Sequence, residues 1–438
     1  MQPRRGNTLQ IQHTACMKEE DMNRKKSTWA MVAGVVASVA GAAMAADSYT
    51  ATAVPNLVGG SGTIGYGVNN AGTVVGQADN AAGELVAFVY AAGVIEELPL
   101  LTDGSDASAA SINSAGVIVG TCRNAAGVSR AVKWKKVDDA WTIVDLGTLD
   151  VNNAGLGVAT RINDNGVIVG YATVSVPGPS HACVWDGATK ADLGTLTFTG
   201  NFAYSQGLGI NSAGEVTGFA YATFQGPEHG MVHNGSRSED ITPAEQFGLA
   251  QWHNINDGGT LAGYVSGPVA TGSAFRPATH IRGEGTTLLP LIADLPEGYA
   301  YDINNGGVVV GANFLLNPAP TPNVFKAFRT ERGATADLNL ITTGLPGVMT
   351  EARDVSDTDM IVGTADNGFG PVAVLLTPVR VPPPCPGDFN GQDGVTIDDL
   401  FLYFNAWFTS DPSADFDGQN GVGIDDLFLY INAWFVGC

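Results

Sequence analysis

Side chains with oxygen atoms recur at matched positions in two units near the end of the chain. The units begin at Asp388 and Asp415 and are nearly identical in sequence. Oxygen ligands at loop positions 1, 3 and 5, with a carboxylate at position 12, are typical of calcium-binding loops. The sequence therefore predicts two calcium ions, one in each loop. The residues at these positions are Asp388, Asn390, Gln392 and Asp399 in the first unit, and Asp415, Asp417, Gln419 and Asp426 in the second.

The turn glycine of each loop lies one residue later than usual, so Asp393 or Asn420 is an alternative ligand to the glutamine. After Arg380 the chain has nine acidic residues and no Lys or Arg. Carboxylates crowded into one small loop repel each other unless a cation lies between them, so we expect folding of this segment to depend on calcium. The alternative is an acidic turn without metal, but the duplication keeps every ligand position.

Two cysteines, Cys385 and Cys438, bracket this segment. An exported chain can oxidise its cysteines, so we expect these two to form a disulfide that closes the segment. Cys122 and Cys183 lie far upstream in separate repeats. We expect each of them to pack as a small buried hydrophobic residue and not as a redox pair.

The two loops, each followed by an apolar stretch that predicts a helix, resemble a dockerin type I module. Cys385 and the terminal Gly437-Cys438 also resemble the dockerin-like tails of exported bacterial proteins. The resemblance covers residues 385–438 and implies a small α-helical, calcium-binding module that docks onto a cohesin-like or other surface protein. It implies that loop positions 10 and 11 read the partner, although this sequence lacks the small hydroxyl residues usual there. These positions are Ile397, Asp398, Ile424 and Asp425.

A repeated strand-turn-strand motif organises the rest of the chain. Its clearest copy runs from Ile162 to Gly170 and contains Asn163 and Gly166 at the turn. The motif recurs at steps of 44, 50, 48, 45, 48 and 52 residues, which indicates an array of sheet units. The final glycines of the seven copies are Gly76, Gly120, Gly170, Gly218, Gly263, Gly311 and Gly363.

Each repeat carries signals for four strands, but the fourth strand follows the first three only six times. The missing copy is the segment 52–57, which precedes the first repeat. An N-terminal strand that completes the last unit closes a ring and removes exposed sheet edges. The sequence therefore predicts a mainly β fold, a seven-bladed β-propeller with four-stranded blades. A ring of six or eight units and a β-solenoid are the alternatives.

Short strings in these repeats resemble the extracellular HAF-repeat family, which is named for a His-Ala-Phe run. The run appears here as His181-Ala182-Cys183 and, shortened, as Ala87-Phe88, Ala274-Phe275 and Ala327-Phe328. The Asp-Leu-Gly-Thr-Leu strings that begin at Asp145 and Asp192 also fit. The resemblance covers residues 50–378, and it implies a propeller-like fold without specifying an activity.

The first strand of each blade should lie next to the propeller axis, where unlike residues are candidates for a ligand site. Arg161, Trp252, His253, Asp302 and Asp354 lie near the ends of such strands. They predict a polar and aromatic channel mouth that binds a sugar or a peptide. The alternative is a set of ordinary strand-end residues that form ion pairs with one another. The sequence has no nucleophile elbow, zinc-protease motif or phosphate loop, so no catalytic residue is predicted.

The N-terminal segment predicts a signal peptide. Basic residues 24–26 precede an apolar run from Trp29 to Ala45, and Ala43-Met44-Ala45 fits a cleavage site. Translation is expected to start at Met22, and a retained anchor is the alternative. The expected organisation is a signal peptide (1–46), the seven-repeat propeller (47–378), a proline-rich linker (379–384) and the dockerin-like module (385–438).

The formal charge of −22 disfavours nucleic acids and anionic membranes as partners, because phosphates require Lys and Arg contacts. We expect a bacterial protein that is secreted or held at the cell surface, with no membrane span in the mature chain. Its expected function is that of a non-catalytic binding or structural propeller docked through the calcium-dependent tail. The alternative is an extracellular hydrolase or lyase that acts on polysaccharide and carries the same tail.

Overall fold

The computed structural model of the protein describes most of the chain after residue 47. The predicted signal peptide, residues 380–384 of the linker, Cys385 and Cys438 lie outside the described residues. Within the described residues, no helix is both long and apolar enough to cross a bilayer. The described ranges are 48–196, 204–221, 227–243, 248–269, 272–318, 321–379, 386–389, 395–409, 414, 416 and 422–437.

The described strands form seven sheets, one for each repeat. Blade 1 contains β2 (Thr63–Val68), β3 (Val74–Asp79), β4 (Leu85–Ala91) and β5 (Val94–Glu97). Blade 2 contains β6 (Ser105–Ile112), β7 (Ile118–Arg123), β8 (Ser129–Val137) and β9 (Ala140–Asp145). Blade 3 contains β10 (Gly157–Ile162), β11 (Ile168–Thr173), β12 (Ser180–Asp186) and β13 (Thr189–Gly194). Blade 4 contains β14 (Tyr204–Ile210), β15 (Val216–Tyr221), β16 (Glu228–His233) and β17 (Ser238–Asp240).

The remaining blades follow the same order. Blade 5 contains β18 (Leu249–Ile255), β19 (Thr260–Val269), β20 (Gly272–Ile281) and β21 (Gly285–Leu288). Blade 6 contains β22 (Glu297–Ile303), β23 (Val309–Leu315), β24 (Val324–Glu331) and β25 (Ala334–Asp337). Blade 7 contains β27 (Val348–Val355), β28 (Ile361–Asp366) and β29 (Pro371–Val379), together with β1 (Ser48–Ala53) and the short β26 (Thr342–Thr343).

The ring closes between blades 7 and 1. Val74 and Phe88 of blade 1 pack in one buried cluster with Val362 and Leu375 of blade 7. Similar clusters join neighbouring blades elsewhere, for example blades 1 and 2 through Val75. The predicted seven-bladed β-propeller with four-stranded blades is therefore confirmed, and the six-unit, eight-unit and solenoid alternatives are wrong.

The N-terminal strand completes the last blade, but slightly upstream of its predicted position. The prediction placed it at 52–57, whereas β1 spans Ser48–Ala53 and pairs antiparallel with β29 over its whole length. Val54 and Leu57, which suggested a strand, instead pack into the core beyond its end. β26 adds a short parallel edge on the other side of β1.

The inner hairpin of each blade has the predicted turn. Glycine adopts a positive φ at the turn in six blades, for example 85° at Gly166, and Asp359 replaces it in blade 7 with φ 63°. The aligned glycine that ends the motif has a different role, because a β-bulge in the first strand brings a carbonyl oxygen against it. A Cβ atom on Gly170 would lie 1.9 Å from the oxygen of Val158, so only glycine fits.

In blades 2, 4 and 6 the fourth strand ends at the aspartate that begins the Asp-Leu or Asp-Ile string, whereas in blade 3 it continues through Asp192 to Gly194. β9 ends at Asp145. The Asp145 carboxylate accepts a hydrogen bond from the amide of Gly147 at 2.8 Å, which turns the chain out of the sheet. In blade 1 the following leucine, Leu98, is fully buried. In blades 1 and 2 the fourth strand therefore ends just before the leucine, where the chain crosses to the next blade.

Three helices lie in the last third of the chain, within the described residues. The first, α1 (Leu338–Ile341), is a single turn that leads to blade 7. The tail contains α2 (Ile397–Phe408) and α3 (Ile424–Val436). Tyr403 of α2 stacks on Tyr430 of α3 with ring centroids 3.7 Å apart, and both are fully buried.

Candidate functional site

The first strands of the blades end around a recess on the propeller axis. Residues from all seven blades line it, and it encloses about 160 Å³. Its outer edge, which we call the rim ring, consists of the exposed residue that follows each inner strand's Ile/Val-Asn or Val-Ser pair. The rim ring is Asn70, Ser114, Asp164, Ser212, Asp257, Asn305 and Asp357.

Beneath the rim lies a second ring, the asparagine ring, which ties the blades together. In blade 3, the Oδ1 atom of Asn163 accepts from the amide of Val167 at 3.0 Å and closes its own turn. Its Nδ2 atom donates to the carbonyl oxygen of Asn211 in blade 4 at 2.9 Å. The same donation to the next blade is made by Asn69, Asn113, Asn163, Asn211, Asn256 and Asn304.

Blade 7 has Ser356 in place of this asparagine. Its hydroxyl still accepts from the amide of Met360 at 3.1 Å and closes the turn. A serine is too short to reach the next blade, and Thr358 instead donates to the carbonyl of Asn70 at 3.4 Å. The sequence predicted the turn role of these asparagines but missed their interblade role, although their recurrence in the first six repeats was a visible signal.

The floor of the recess is a charged cluster of Arg161, Asp302 and Asp354. The guanidinium of Arg161 reaches across the axis from blade 3 to Asp302 at 3.1 Å and to Asp354 at 2.9 Å. Each carboxylate also caps the next blade: the Val355 amide donates to Asp302, and the Val68 amide donates to Asp354, both at 2.8 Å. The structure thus brings together three of the five residues predicted for the channel mouth.

Burial sets the protonation behaviour of this cluster. It raises the pKa of Asp302 well above its usual range, and the nearby Asp354 carboxylate acts in the same direction while Arg161 opposes it. Burial works against the charge on Arg161, but the attraction of the two carboxylates raises the pKa of that guanidinium. The Arg161 cation is therefore held between two carboxyl groups that attract it and repel each other.

Trp252 does not line the recess, contrary to the prediction. It is fully buried between blades 4 and 5, where it packs against Val232 and Leu261. Gly230 of blade 4 provides the space, because a Cβ atom there would lie 2.4 Å from the indole Nε1 atom. A β-bulge between Trp252 and Asn254 interrupts the alternation of side chains in β18, so Trp252 packs in the core although Asn254 lines the recess.

His253 is not among the residues that line the recess, contrary to the prediction. Its Nδ1–H donates to the carbonyl oxygen of Ala300 at 2.8 Å. Its ring stacks on Tyr301, with centroids 5.7 Å apart. Burial lowers the pKa of His253 to about 4, and the positive charges of Arg353 and Arg161 add to this, so the imidazole is neutral at pH 7.

Only some of the predicted calcium ligands lie in the described part of the tail. Asn390, Gln392, Asp393, Asp415, Asp417, Gln419 and Asn420 lie outside them. Asp399 and Asp426, the residues at loop position 12, have buried side chains at the first turns of α2 and α3. Asp388, also described, is half-buried. The described residues contain no group of three or more His, Cys, Asp or Glu side chains that could hold a metal.

The two halves of the tail make reciprocal contacts. Trp407 of α2 donates to the carbonyl of Gly423, just before α3, at 2.6 Å. Trp434 of α3 donates to the carbonyl of Thr396, just before α2, at 2.7 Å. The four residues predicted to read the partner are exposed at the starts of the helices. They are Ile397, Asp398, Ile424 and Asp425.

The cysteines within the propeller are free and buried. Burial raises the pKa of Cys122 and raises that of Cys183 strongly, so both remain thiols at neutral pH. Cys122 packs in the core shared by blades 1 and 2, and Cys183 packs in that of blades 2 and 3. This agrees with the prediction that each acts as a small hydrophobic residue.

Among known proteins, the similarities found for this chain are to solved structures. No protein-family model matches the chain, and no curated protein matches it. The chain is similar to the structure of YCF48 bound to D1 peptide, at 14% identity and a TM-score of 0.41, over 77% of this chain and 97% of that chain. It is also similar to virginiamycin B lyase from Staphylococcus aureus, at 14% identity and a TM-score of 0.44, over 76% and 99%. AofleA from Arthrobotrys oligospora shows 11% identity and a TM-score of 0.36, over 66% and 87%.

Proposed function

We propose that this protein is an exported, non-catalytic binding propeller whose recess takes a ligand and whose calcium-dependent tail docks it onto a surface partner. The observation that carries this proposal is the charged cluster at the floor of the recess. Arg161, Asp302 and Asp354 are bonded to one another and to backbone amides of neighbouring blades. Their charges hold the ring together, and a catalytic acid or base needs a side chain free to exchange a proton with a substrate.

The negative charges of the rim ring favour a ligand with basic groups. Asp164, Asp257 and Asp357 are its charged members, and all three are exposed. Each carboxylate accepts a hydrogen bond from a backbone amide of the preceding blade, as Asp164 does from the amide of Ser114 at 2.8 Å. These bonds fix the positions of the carboxylates around the opening. A mouth lined by fixed negative charge attracts cations, so we propose a basic peptide segment as the ligand.

Binding of basic peptides to the recess is the first test. On an array of basic, neutral and acidic peptides, the intact chain is expected to retain basic ones at low salt. The triple variant D164N/D257N/D357N should weaken this binding about tenfold, and added salt should weaken it further, because these charges are exposed. The variant D138N/D139N is the control, because it removes exposed acidic charges in the outer hairpin of blade 2. Equal retention of acidic and basic peptides would contradict the proposal for the recess.

The tail residues fit a hard cation as far as they are described. Asp399 and Asp426 are buried, and no Lys or Arg follows Arg380, so the tail contains no basic side chain to balance them. Oxygen-rich donor sets of this kind suit calcium. Asp388, Asp399 and Asp426, with the loop residues outside the described ranges, would hold the two ions, and calcium would supply the charge balance that lets the loops fold.

Chelation of calcium tests the tail. EDTA is expected to remove the helical part of the circular dichroism spectrum and to leave the β-sheet signal unchanged, because α2 and α3 depend on the loops and the propeller does not. Asp399→Asn should weaken the calcium response about tenfold or more, whereas Asp398→Asn, at the exposed neighbouring position, should not change it. A spectrum that is the same with and without EDTA would exclude the calcium-dependent tail.

A further inference from the structure

The first strand of every blade contains a β-bulge at the same position. The bulged residue comes directly before Asp302 in blade 6 and directly before Asp354 in blade 7. In every blade it is partly exposed, whereas the residue before it is buried. Because the first strands surround the axis and a bulge re-aims a side chain, these seven residues form a ring around the channel, which we call the bulge ring. The bulge ring is Tyr66, Ala110, Thr160, Leu208, His253, Tyr301 and Arg353.

The bulge ring has two unlike halves. In blades 5, 6, 7 and 1 it carries four flat side chains in contact with one another. His253 stacks on Tyr301, and the guanidinium of Arg353 lies 4.4 Å from the ring centroid of Tyr301 and 6.0 Å from that of Tyr66. Blades 2, 3 and 4 carry a smaller alanine, threonine and leucine. The bulge belongs to the fold because every blade has it, but Ala110 shows that the fold does not require a large side chain there.

We propose that the Arg353 side of the bulge ring is a binding site for a small organic carboxylate. The Arg353 side chain is 34% exposed, and its Nη2 atom lies 2.6 Å from the Oε2 atom of Glu351. This ion pair occupies one edge of the guanidinium, and Nη1 has no hydrogen-bond partner within the described ranges. A planar guanidinium with a free edge fits the geometry of a carboxylate. No bulge-ring residue lines the recess, so this site goes beyond the function proposed for the recess.

The two tyrosines beside Arg353 add hydrogen-bond donors. The hydroxyls of Tyr66 and Tyr301 have no hydrogen-bond partner in the described part of the chain. Burial raises the pKa of Tyr66 and raises that of Tyr301 to about 12, so both hydroxyls are O–H donors at neutral pH. At both tyrosines the charge of Arg353, which opposes this rise, acts more strongly than the charge of Glu351, which adds to it. Donors in a locally positive field favour an anion with oxygen acceptors.

The positive field is confined to the level of Arg353. Two residues before Tyr301 in the same strand, Tyr299 has a pKa that is raised by burial and further by the negative charges of Glu297 and Glu228. A second acidic group on the ligand would meet these charges and be repelled. The site therefore favours a monocarboxylate whose remaining part is neutral.

Binding of simple carboxylates to the intact chain, measured by isothermal titration calorimetry, tests this site. Benzoate and propionate represent aromatic and aliphatic carboxylates, and each is compared with its neutral amide, benzamide or propionamide. At least one carboxylate is expected to bind, and its amide should bind at least about tenfold more weakly. Arg353→Met should weaken binding of the carboxylate at least about tenfold, because it removes the cation.

Glu351→Gln is expected to change the affinity in the opposite direction. It should strengthen carboxylate binding about threefold to tenfold, because it removes a like charge and releases the second edge of the guanidinium. Glu331→Gln is the matched control, since Glu331 pairs with Arg329 at the same spacing in β24, and it should leave the affinity unchanged. The proposal fails if neither carboxylate binds, if the amides bind as tightly as the acids, or if Glu351→Gln weakens binding or has no effect.

Discussion

A chain that starts at Val54, and therefore lacks β1, is expected to lose more than about 5 kcal/mol of stability, which is comparable to the whole stability of a typical domain. β1 lies between β29 and β26 and supplies the outer strand of blade 7. Tyr49 in this strand is fully buried in the core shared by blades 6 and 7. Removal of β1 also exposes the edge of β29, and unpaired sheet edges lead to self-association.

Point variants separate the packing of Tyr49 from the pairing of the strand. Tyr49→Ala should destabilise the protein by about 3–5 kcal/mol, the range for removal of a buried aromatic ring. Tyr49→Phe should cost much less, because phenylalanine keeps the buried ring and loses only the hydroxyl group. Urea denaturation and size-exclusion chromatography would measure both effects. A truncated chain that stays monomeric and equally stable would show that β1 does not close the ring.

The number of blades could be predicted because its signals are local. The turn of each inner hairpin requires a positive φ, and glycine or aspartate at that place is visible in every repeat. The closing strand could be inferred by counting, but its position could not. Both 48–53 and 52–57 have strand character, and the choice was decided by pairing with β29, which lies at the opposite end of the propeller sequence.

The third strand of blade 5 shows how a motif can mislead. The Ala274-Phe275 pair suggested the register seen at Ala87-Phe88, but Gly263 pairs with Ala278 instead. β19 and β20 are each 10 residues long, so Phe275 lies beyond the part of the hairpin that corresponds to other blades. There its ring contacts Tyr264 and Tyr299 at centroid distances of 5.5 and 5.3 Å. The length of a hairpin, which a motif does not encode, changed the role of the residue.

The burial of Trp252 could have been inferred from a second unusual residue, Gly230, in the neighbouring repeat. Small residues occupy the corresponding first-strand position in the other six blades, so Trp252 needs additional space. Gly230 of blade 4 stands where other blades have alanine at 87, 131, 182, 327 and 373 and proline at 277. The large and small substitutions compensate each other across the blade interface. When only one repeat is considered, Trp252 or Gly230 looks like an isolated exception to the pattern.

The charged cluster was predicted as a set of residues, but its arrangement depends on ring closure. Arg161 belongs to blade 3, whereas Asp302 and Asp354 belong to blades 6 and 7, and only a closed ring places these side chains opposite one another. A sequence pattern gives the level of each residue along the axis. It cannot show that a guanidinium spans the channel or that each carboxylate caps the adjacent blade.

Replacement of Arg161 by methionine is expected to destabilise the protein by about 3–5 kcal/mol at neutral pH. The substitution leaves Asp302 and Asp354, which are 1% and 6% exposed, as buried carboxylates without their cation. Arg123→Met is the matched control. Arg123 also pairs with an aspartate, Asp106, at 3.4 Å, but both side chains are about half-exposed, so its removal should cost at most about 1 kcal/mol.

The pH dependence of the Arg161→Met variant gives a second measurement. The pKa of Asp302 is already raised in the folded protein, and loss of the opposing Arg161 charge raises it further. A carboxyl with a folded pKa above its unfolded value contributes stability at low pH and loses it as pH rises through the folded pKa. The stability difference between the variant and the unmodified protein should therefore shrink as the pH falls toward about 4, the ordinary pKa of an aspartate.

The double variant R161M/D302N distinguishes charge from packing. The amide is neutral at every pH and keeps the shape of the carboxyl, so it should recover part of the lost stability at pH 7 and reduce the pH dependence. If Arg161 mattered only through its volume, the double variant would be no more stable than R161M and the loss would be equal at all pH values. Recovery at pH 7 would instead show that the floor of the recess is held together by charge compensation, with the cation bound between carboxylates that also join the blades.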